Sequence, residues 1–363
     1  MKKIKLATVF SGIGAPEQAL NKIGVNYDIV FACDNDEIEL KETKEDIIEA
    51  YRKSNYHNIN EYVSGLYSST NKSKYVKQSY FANYDIDENR WYSDIRFLNG
   101  EKYKNKVDLY IGGSPCQSFS LMGKKAGLED TRGTLFYEYA RLIKEMQPKA
   151  FIYENVPGMV MHDKGNTWKV IRDVFESLGY NVKYKVLNAK DFGIPQDRRR
   201  LFVVGIKDGN VEYNFPKPIE LKKTMFDFLE EKVEAKHYLA KKGFEFVTQH
   251  PGRAKVNKEI IRTQKANQQF NWNGDFVFED YEKVKNNEEI MKRAYVGTFE
   301  GKKGVVRQLS YRECMRLMGF SDDYKIVVPN IPAYRQAGNS IVVNVMEAIL
   351  RELFKVVNFN EKN

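Results

Sequence analysis

A short, largely apolar run that stops abruptly at two glycines constrains this chain more than any other feature. Residues 107–111 form the run, and Gly112-Gly113-Ser114-Pro115-Cys116 follows it directly. The pattern predicts a buried strand whose end places Cys116 at the carboxyl edge of a parallel sheet. A free cysteine is most often a small buried hydrophobe. The polar, glycine-rich sequence after Cys116 instead favours a loop that carries a nucleophile.

A second junction of this kind lies at the start of the chain. Residues 4–10 are a strand candidate, and residues 11–15 (Ser-Gly-Ile-Gly-Ala) turn into a helix that begins near Pro16. The next strand candidate, residues 27–33, ends at Asp34. A glycine turn followed by an acid after the next strand is typical of βαβ folds that hold a nucleoside-containing cofactor. Plain strand-to-helix connections also contain Gly-x-Gly turns.

Strand and helix patterns alternate along the remaining chain. The predicted strands are 150–153, 181–187 and 201–204, and the predicted helices are 134–143, 165–179 (closed by Gly179) and 308–318. Glu154 therefore shares a sheet edge with Cys116, and at least one arginine of the run 198–200 is expected to point into the site. Ser310 and Glu313 predict a capping box. A last amphipathic helix is predicted to begin at Gln336.

Composition limits the class of protein. The chain has 363 residues, of which 42% are hydrophobic and 29% charged, as in a soluble globular protein of two or three units. No apolar run is long enough to cross a membrane, and no signal segment follows Met1, so a cytoplasmic location is expected. Three scattered cysteines fit a reducing compartment, and four histidines show no metal spacing. The net charge of +9 suits a polyanionic partner, although it also suits simple solubility.

Two segments differ from the rest of the chain in composition and periodicity. Residues 55–92 are rich in Asn, Ser, Tyr and Lys with little periodicity, which predicts an insertion or a long loop. Its tyrosines and lysines suit contacts with nucleic acid, but such a segment is more often solvated surface. Residues 222–305 are polar and aromatic, and they predict a separate smaller domain.

Together, the motifs resemble the DNA (cytosine-5) methyltransferase family, in the family's order and over nearly the whole chain. They are Phe10-Ser11-Gly12-Ile13-Gly14, Pro115-Cys116-Gln117, Arg132-Gly133-Thr134-Leu135-Phe136, Glu154-Asn155-Val156, Gln196-Asp197-Arg198-Arg199-Arg200, the segment 312–320 and Gln336-Ala337-Gly338-Asn339-Ser340. The resemblance implies an α/β, Rossmann-like fold that uses S-adenosylmethionine, with a smaller target-recognition domain. The implied domains are 1–221 for catalysis and cofactor binding (insertion about 55–92), 222–305 for target recognition, and 306–363 as a return to the catalytic domain.

The same resemblance assigns the chemistry. It implies that Cys116 adds to C6 of a flipped-out cytosine, while a protonated Glu154 holds N3 and the exocyclic amine. Arg198 would steady the base, and Arg200 would give a second positive support. The segment with Gly123, Gly127 and Gly133 would close as a lid.

For the cofactor, S-adenosylmethionine, the resemblance implies ribose on Asp34, the adenine amine on Asp94 and the methionine end near the glycine turn. The full implied set is Phe10, Gly12, Ile13, Gly14, Asp34, Asp94, Ile95, Pro115, Leu135, Asn339 and Ser340. The chain departs from the family at three positions: it has Asp34 where Glu is usual, Asn35 in place of an aromatic residue, and Ser93 in place of Gly.

The implied partners are double-stranded DNA and a cognate restriction endonuclease acting on the same site, with a monomeric enzyme. A restriction-modification, phage or orphan setting is equally compatible. Two alternatives stay open: a tRNA cytosine-5 methyltransferase, and a catalytically silent DNA-binding protein on this scaffold. The separate recognition domain favours DNA, and intact Cys116, Glu154 and Arg198 argue against the silent protein. Amino-group methyltransferases need an acid or Asn before Pro-Pro-aromatic, which the chain lacks.

Overall fold

A computed structural model describes residues 3–115, 135–267 and 272–359. The chain divides into two compact units. The first comprises Met1–Leu187, Arg199–Lys217 and Met346–Asn363, and the second comprises Asn188–Arg198 and Pro218–Val345. The segment 222–305 lies inside the second unit, which continues beyond it. Its role in target recognition stays a prediction.

Strands and helices alternate along the described ranges. The strands are β1 (Ile4–Val9), β2 (Tyr27–Cys33), β3 (Trp91–Tyr92), β4 (Leu109–Gly112), β5 (Ala150–Asn155), β6 (Asn181–Asn188), β7 (Gln196–Asp197), β8 (Arg199–Ile206), β9 (Lys255–Val256), β10 (Ile261–Arg262), β11 (Asp275–Asp280), β12 (Gly297–Phe299) and β13 (Lys302–Gln308). The α-helices are α1 (Ala15–Ile23), α2 (Lys44–Arg52), α3 (Ile59–Ser69), α4 (Tyr75–Asn83), α5 (Leu135–Met146), α6 (Gly158–Met161), α7 (Asn166–Ser177), α8 (Lys241–Gln249), α9 (Tyr281–Val284), α10 (Glu288–Arg293), α11 (Tyr311–Arg316), α12 (Asn330–Asn339) and α13 (Val343–Val356).

Within those ranges, the main sheet has seven strands in the order β3-β2-β1-β4-β5-β8-β6. The pairs β3/β2, β2/β1, β1/β4 and β4/β5 are parallel, and β8 runs antiparallel to β5. The central strands are buried and almost continuously apolar, as is typical of parallel strands covered on both faces. This topology brings the carboxyl ends of β1, β2, β4 and β5 to one edge of the sheet. The expected α/β, Rossmann-like fold is confirmed.

Helices with regular apolar spacing pack on this sheet. In α5, Phe136, Tyr139 and Ile143 are buried in the main core. In α7, Trp168 and Phe175 join the same core, and Gly179 follows the helix with φ of +86°. A glycine tolerates that left-handed conformation at little cost, so the predicted helix end is confirmed.

The expectation of a loop within 55–92 is wrong, because this segment contains α3 and α4. Residues of α3 join a small core formed with α2 and nearby segments. The apolar residues that contact it follow the spacing of one helix face: Ile59, Tyr62, Val63, Leu66 and Tyr67. This periodicity was present in the sequence but obscured by the polar residues between these positions.

The last helix also begins later than predicted. Residues 336–339 end α12 rather than begin a helix, Ser340 is extended, and α13 starts at Val343. Gly338 explains the close packing there, because a Cβ at this position would overlap the backbone of Ala266. In α13, Val345, Ile349 and Leu353 are buried and Ala348 is half-buried, as is Ile341 before the helix.

The second unit has its own sheet and core. In its described residues, β12-β13-β11-β9 form a four-stranded sheet, and β10 pairs with β7. Phe244, Phe276, Phe278 and Val306 contribute to the core of this unit. The predicted capping box of α11 is confirmed, since the Ser310 hydroxyl accepts from the Glu313 N–H and the Glu313 carboxylate accepts from the Ser310 N–H.

No helix in the described ranges is both long and apolar enough to cross a membrane.

Candidate active site

The end of β5 and the start of β8 bring one acidic and one basic side chain together, beside a glycine that follows β4. Glu154, near the end of β5, lies with its Oε1 3.2 Å from Nε of Arg200, at the start of β8. The antiparallel β5/β8 register pairs Glu154 with Phe202 and Asn155 with Leu201, which explains how the arginine run reaches the carboxylate. About 16% of the Glu154 side chain and 20% of the Arg200 side chain are exposed. The pair is thus reachable but largely shielded from water.

Gly113 and Ser114, which lead to Cys116, are held in place by residues at the end of β5. A Cβ at Gly113 would overlap the carbonyl oxygen of Glu154, so only glycine allows this close approach. Asn155 Nδ2 donates to the Ser114 carbonyl at 2.9 Å, and the Ser114 hydroxyl bonds the Tyr153 hydroxyl at 2.6 Å. Pro115 is exposed. Cys116 itself and the predicted lid glycines Gly123, Gly127 and Gly133 lie outside the described residues.

The glycine turn after β1 is held by the carboxylate that ends β2. Asp34 Oδ2 accepts from the Gly12 N–H at 2.9 Å, and Oδ1 accepts from the Asp36 N–H at the same distance. Asp34 is half-buried, and its desolvation, with repulsion from Asp36, raises its pKa to about 7. The structure therefore brings together Gly12 and Asp34, two residues of the predicted cofactor set.

Left-handed backbone and free space characterise the same turn. Positive φ angles occur at Phe10 (51°), Gly12 (53°) and Gly14 (78°). Among the described atoms, a Cβ at Gly12 would meet one heavy atom within 4 Å, the Phe10 carbonyl oxygen, at 4.0 Å. Space beside a backbone turn, flanked by a half-buried carboxyl group, suits a polar ligand.

The other predicted cofactor residues of the first unit differ in exposure. Ile13 and Ile95 are buried, and Phe10 and Leu135 are half-buried against the main core. Asp94 is also buried, and its carboxylate pairs with the Arg96 guanidinium at 2.7 Å and accepts from the Tyr67 hydroxyl at 3.1 Å. The proposed adenine contact of Asp94 stays a prediction.

The remaining predicted residues belong to the second unit. Arg198 is buried and donates to the carbonyl oxygens of Gln264 at 2.7 Å, Gly338 at 3.0 Å and Ser340 at 2.8 Å. Asn339 is exposed and Ser340 is buried. Arg198 thus fixes the backbone on both sides of Asn339.

Sequence reasoning assigned no individual role to Asn155 or Tyr84. Asn155 stood within a motif, but its bond to Ser114 depends on the pairing of two distant strands. Tyr84 donates to the carbonyl oxygens of Ile13 and Gly14, and no sequence pattern connects it to them.

A match to a protein family decides which enzyme class this chain belongs to. A family model described as C-5 cytosine-specific DNA methylase matches residues 56–355. The chain belongs to this family. It is a DNA cytosine-5 methyltransferase, as the motif order predicted.

Several curated relatives of this methyltransferase are type II methyltransferases. M1.ScrFI of Lactococcus lactis subsp. cremoris is 34% identical over 306 residues, which cover 83% of this chain and 75% of the relative. M.HhaI of Haemophilus parahaemolyticus is also 34% identical, over 79% of this chain and 86% of the relative. The crystal structure of S. pombe Dnmt2 methyltransferase has a TM-score of 0.66 at 17% identity, covering 97% of this chain and 99% of the other. That structural similarity supports the assigned Rossmann-like fold.

Proposed function

We propose that this methyltransferase transfers a methyl group from S-adenosylmethionine to C5 of a flipped-out cytosine in a short double-stranded DNA sequence. The observation that supports it most directly is the Glu154–Arg200 pair, beside the segment that leads to Cys116. This arrangement supplies a carboxyl group for the base at the sheet edge where the predicted nucleophile follows.

The Cys116 thiolate would begin the reaction. Cytosine C5 is a poor nucleophile, so the thiolate adds to C6, and the new C6–S bond makes C5 electron-rich. C5 would then take the methyl group that S-adenosylmethionine supplies, as the bond between that carbon and the sulfonium sulfur breaks. Transfer of the C5 proton to a solvent water, with breakage of the C6–S bond, would restore the ring and free the thiolate. A base within a stacked duplex cannot be attacked in this way, so the cytosine must be flipped out.

Glu154, in its protonated form, would bind the N3 edge of the cytosine. It holds N3 and the exocyclic amine, which offsets the charge that develops as C6 is attacked. Arg200 Nε lies 3.2 Å from Glu154 Oε1 and would hold the carboxyl group in place. We assign to Arg200 the orientation of Glu154, and to Arg198, through its bonds to the backbone, support for the segment around Asn339.

The residues of the glycine turn fit S-adenosylmethionine. Gly12 leaves space beside the backbone, and Asp34 carries a half-buried carboxyl group suited to ribose hydroxyls. When bound, the cofactor supplies an electrophilic methyl group. Asp34 and the backbone of the turn would orient it, while the half-buried Phe10 and Leu135 would exclude water.

The relatives that are type II methyltransferases suggest a restriction-modification setting for this chain, with a cognate endonuclease that cuts the same sequence. We further propose that residues 222–305 carry target recognition, with side chains that read base edges and basic residues that hold phosphates.

Base-resolution sequencing of 5-methylcytosine tests the reaction and the substrate together. The protein is expressed in a host that lacks cytosine methylation, and both genomic DNA and tRNA are sequenced. We expect methylation at one short DNA motif, and its complete loss in Cys116→Ala. The matched control is Cys314→Ala, which alters a buried cysteine of α11 and is expected to retain the marks.

Other outcomes contradict the proposal in distinct ways. Marks confined to tRNA would assign the enzyme to RNA. Marks that persist in Cys116→Ala would remove its role as nucleophile. Absence of marks in both nucleic acids, from folded protein that binds DNA, would favour the silent scaffold.

A further inference from the structure

The α3–α4 segment (residues 59–84) lies against the glycine turn and the acidic strand ends that form the proposed cofactor site. The segment falls within the stretch 55–92, which the sequence indicated to be solvated surface or a contact with nucleic acid. It contributes a hydrogen bond to the turn itself, to α1, and to the residues that follow β2 and β3. These contacts all lie within the first unit.

Tyr84 contacts the glycine turn directly. Its hydroxyl donates to the Gly14 carbonyl at 2.7 Å and to the Ile13 carbonyl at 3.1 Å. Its ring covers Gly14, where a Cβ would overlap the ring and where φ is +78°. Tyr84 therefore holds two consecutive carbonyl groups of a turn whose backbone conformation is unfavourable for most residues.

A buried hydrogen-bond network connects the same helix with the base of the turn. The Tyr80 hydroxyl donates to Glu17, which also accepts from the Thr8 hydroxyl at 3.3 Å. Thr8 in turn bonds the Ser11 hydroxyl at 2.8 Å, and the Ser11 hydroxyl bonds the backbone of Cys33. Hydrogen bonds between buried groups restrict the positions of the groups they join, and here they involve Glu17 Oε1, while Oε2 has no partner among the described atoms.

Two further bonds attach the segment to the strand ends. The Lys77 N–H donates to Asp36 Oδ1 at 2.9 Å, and the Tyr67 hydroxyl donates to Asp94 Oδ2 at 3.1 Å. The segment thus contacts the strand ends after both β2 and β3.

We propose that the α3–α4 segment pre-organises the cofactor site and that Tyr84 is its main positioning residue. Tyr84 holds the Ile13 and Gly14 carbonyls, so the turn keeps its shape before the ligand arrives. A pre-formed site binds more tightly because less order has to be imposed on binding. The inference rests on the proposed function, since it takes S-adenosylmethionine as the ligand of the turn.

The variant Tyr84→Phe tests this role, because it keeps the ring over Gly14 and removes only the hydroxyl. Isothermal titration of the DNA-free full chain with S-adenosylmethionine should show binding weaker by about tenfold, as expected when hydrogen bonds to a binding turn are lost. In steady-state assays, KM for S-adenosylmethionine should rise by a similar factor. The kcat at saturating cofactor and the KM for DNA should stay close to wild type.

The matched control is Tyr56→Phe, the same chemical change at a tyrosine that is 48% exposed in the same stretch of chain. It should bind S-adenosylmethionine as wild type does. Equal affinity of wild type and Tyr84→Phe would overturn the positioning role while leaving the proposed function intact. Absence of binding by the wild type would instead overturn the proposed function.

Hydrogen exchange of the wild-type protein gives a second test that does not depend on the folding of a variant. Addition of S-adenosylmethionine should slow amide exchange in the glycine turn, because a bound ligand opposes local opening, and also in α4, because Tyr84 joins the end of α4 to the turn. Exchange in α7 should stay unchanged and serves as an internal reference. Slowed exchange in the turn with no change in α4 would show that the segment does not respond to the ligand, and would overturn the inference.

Discussion

At the scale of single residues, Glu17 is an acid enclosed in the core. It is fully buried on α1, and desolvation raises its pKa to about 7 despite hydrogen bonds from Tyr80 and Thr8. The folded protein therefore keeps a proton on Glu17 between about pH 4.5 and pH 7, where the unfolded chain has released it. By linkage, the free energy of unfolding falls with rising pH across this interval.

Glu17→Gln should remove this pH dependence. The stability that Glu17 contributes is fully present below pH 4.5 and is lost as the pH rises through 7. A shift of this size corresponds to roughly 3.4 kcal/mol over the whole interval. Urea unfolding of wild type and variant at pH 5 and pH 8 should show the variant gaining stability relative to wild type at the higher pH. Because the pKa values of Asp34 and Asp36 are also raised, only the difference between the two proteins is informative. Parallel pH profiles would contradict the expectation.

At the scale of elements, the junction of β4 and β5 joins the two parts of the proposed catalytic machinery. Glu154 lies on β5, and the segment after β4 leads to Cys116. Asn155 connects them, since its amide donates to the Ser114 carbonyl two residues before Cys116. Its Oδ1 accepts from the Val156 N–H, which orients the amide.

Asn155→Asp should lower kcat by about tenfold or more, because small displacements of a nucleophile are costly to the rate. The change is nearly isosteric, but it removes the donor to Ser114 and keeps the acceptor for Val156. The KM for S-adenosylmethionine should change little. The control is Asn181→Asp, which removes a comparable donor to the Val211 carbonyl at the start of β6. An Asn155→Asp enzyme as fast as the control would show that this bond does not position the nucleophile.

At the scale of the whole molecule, the two compact units suggest how recognition can be tested. The predicted boundary at residue 305 falls within β13, whose residues pair with β11 as far as Gln308. A segment exchanged at 305 would split this strand pair. An exchange that ends at Leu309 leaves the sheet whole and stops before the N-cap Ser310 of α11.

Replacing residues 222–309 with the corresponding segment of a relative that methylates another sequence should move the methylated motif to that of the donor. Sequencing of 5-methylcytosine in the host genome reads the motif directly. Retention of the original motif by an active chimera would place specificity outside this segment.

Local patterns in the sequence were sufficient for much of the fold. The strand before Gly112, the end of α7 at Gly179 and the capping box of Ser310 and Glu313 each depend on neighbours a few residues apart. The α3 helix also carried its periodic signal, which the polar residues around it obscured. The order of the motifs was enough to predict the family, because order along a chain is a property of the sequence itself.

The contacts that shape the proposed site were decided by the tertiary structure. The arginine run indicated that one side chain would reach the site, but the β5/β8 register brought Arg200 to Glu154, while Arg198 bonds backbone carbonyls in the second unit. Tyr84 and Gly14 are 70 residues apart, and their contact exists because α4 packs over the turn. Such contacts depend on how distant elements meet, and no spacing along the chain encodes that geometry.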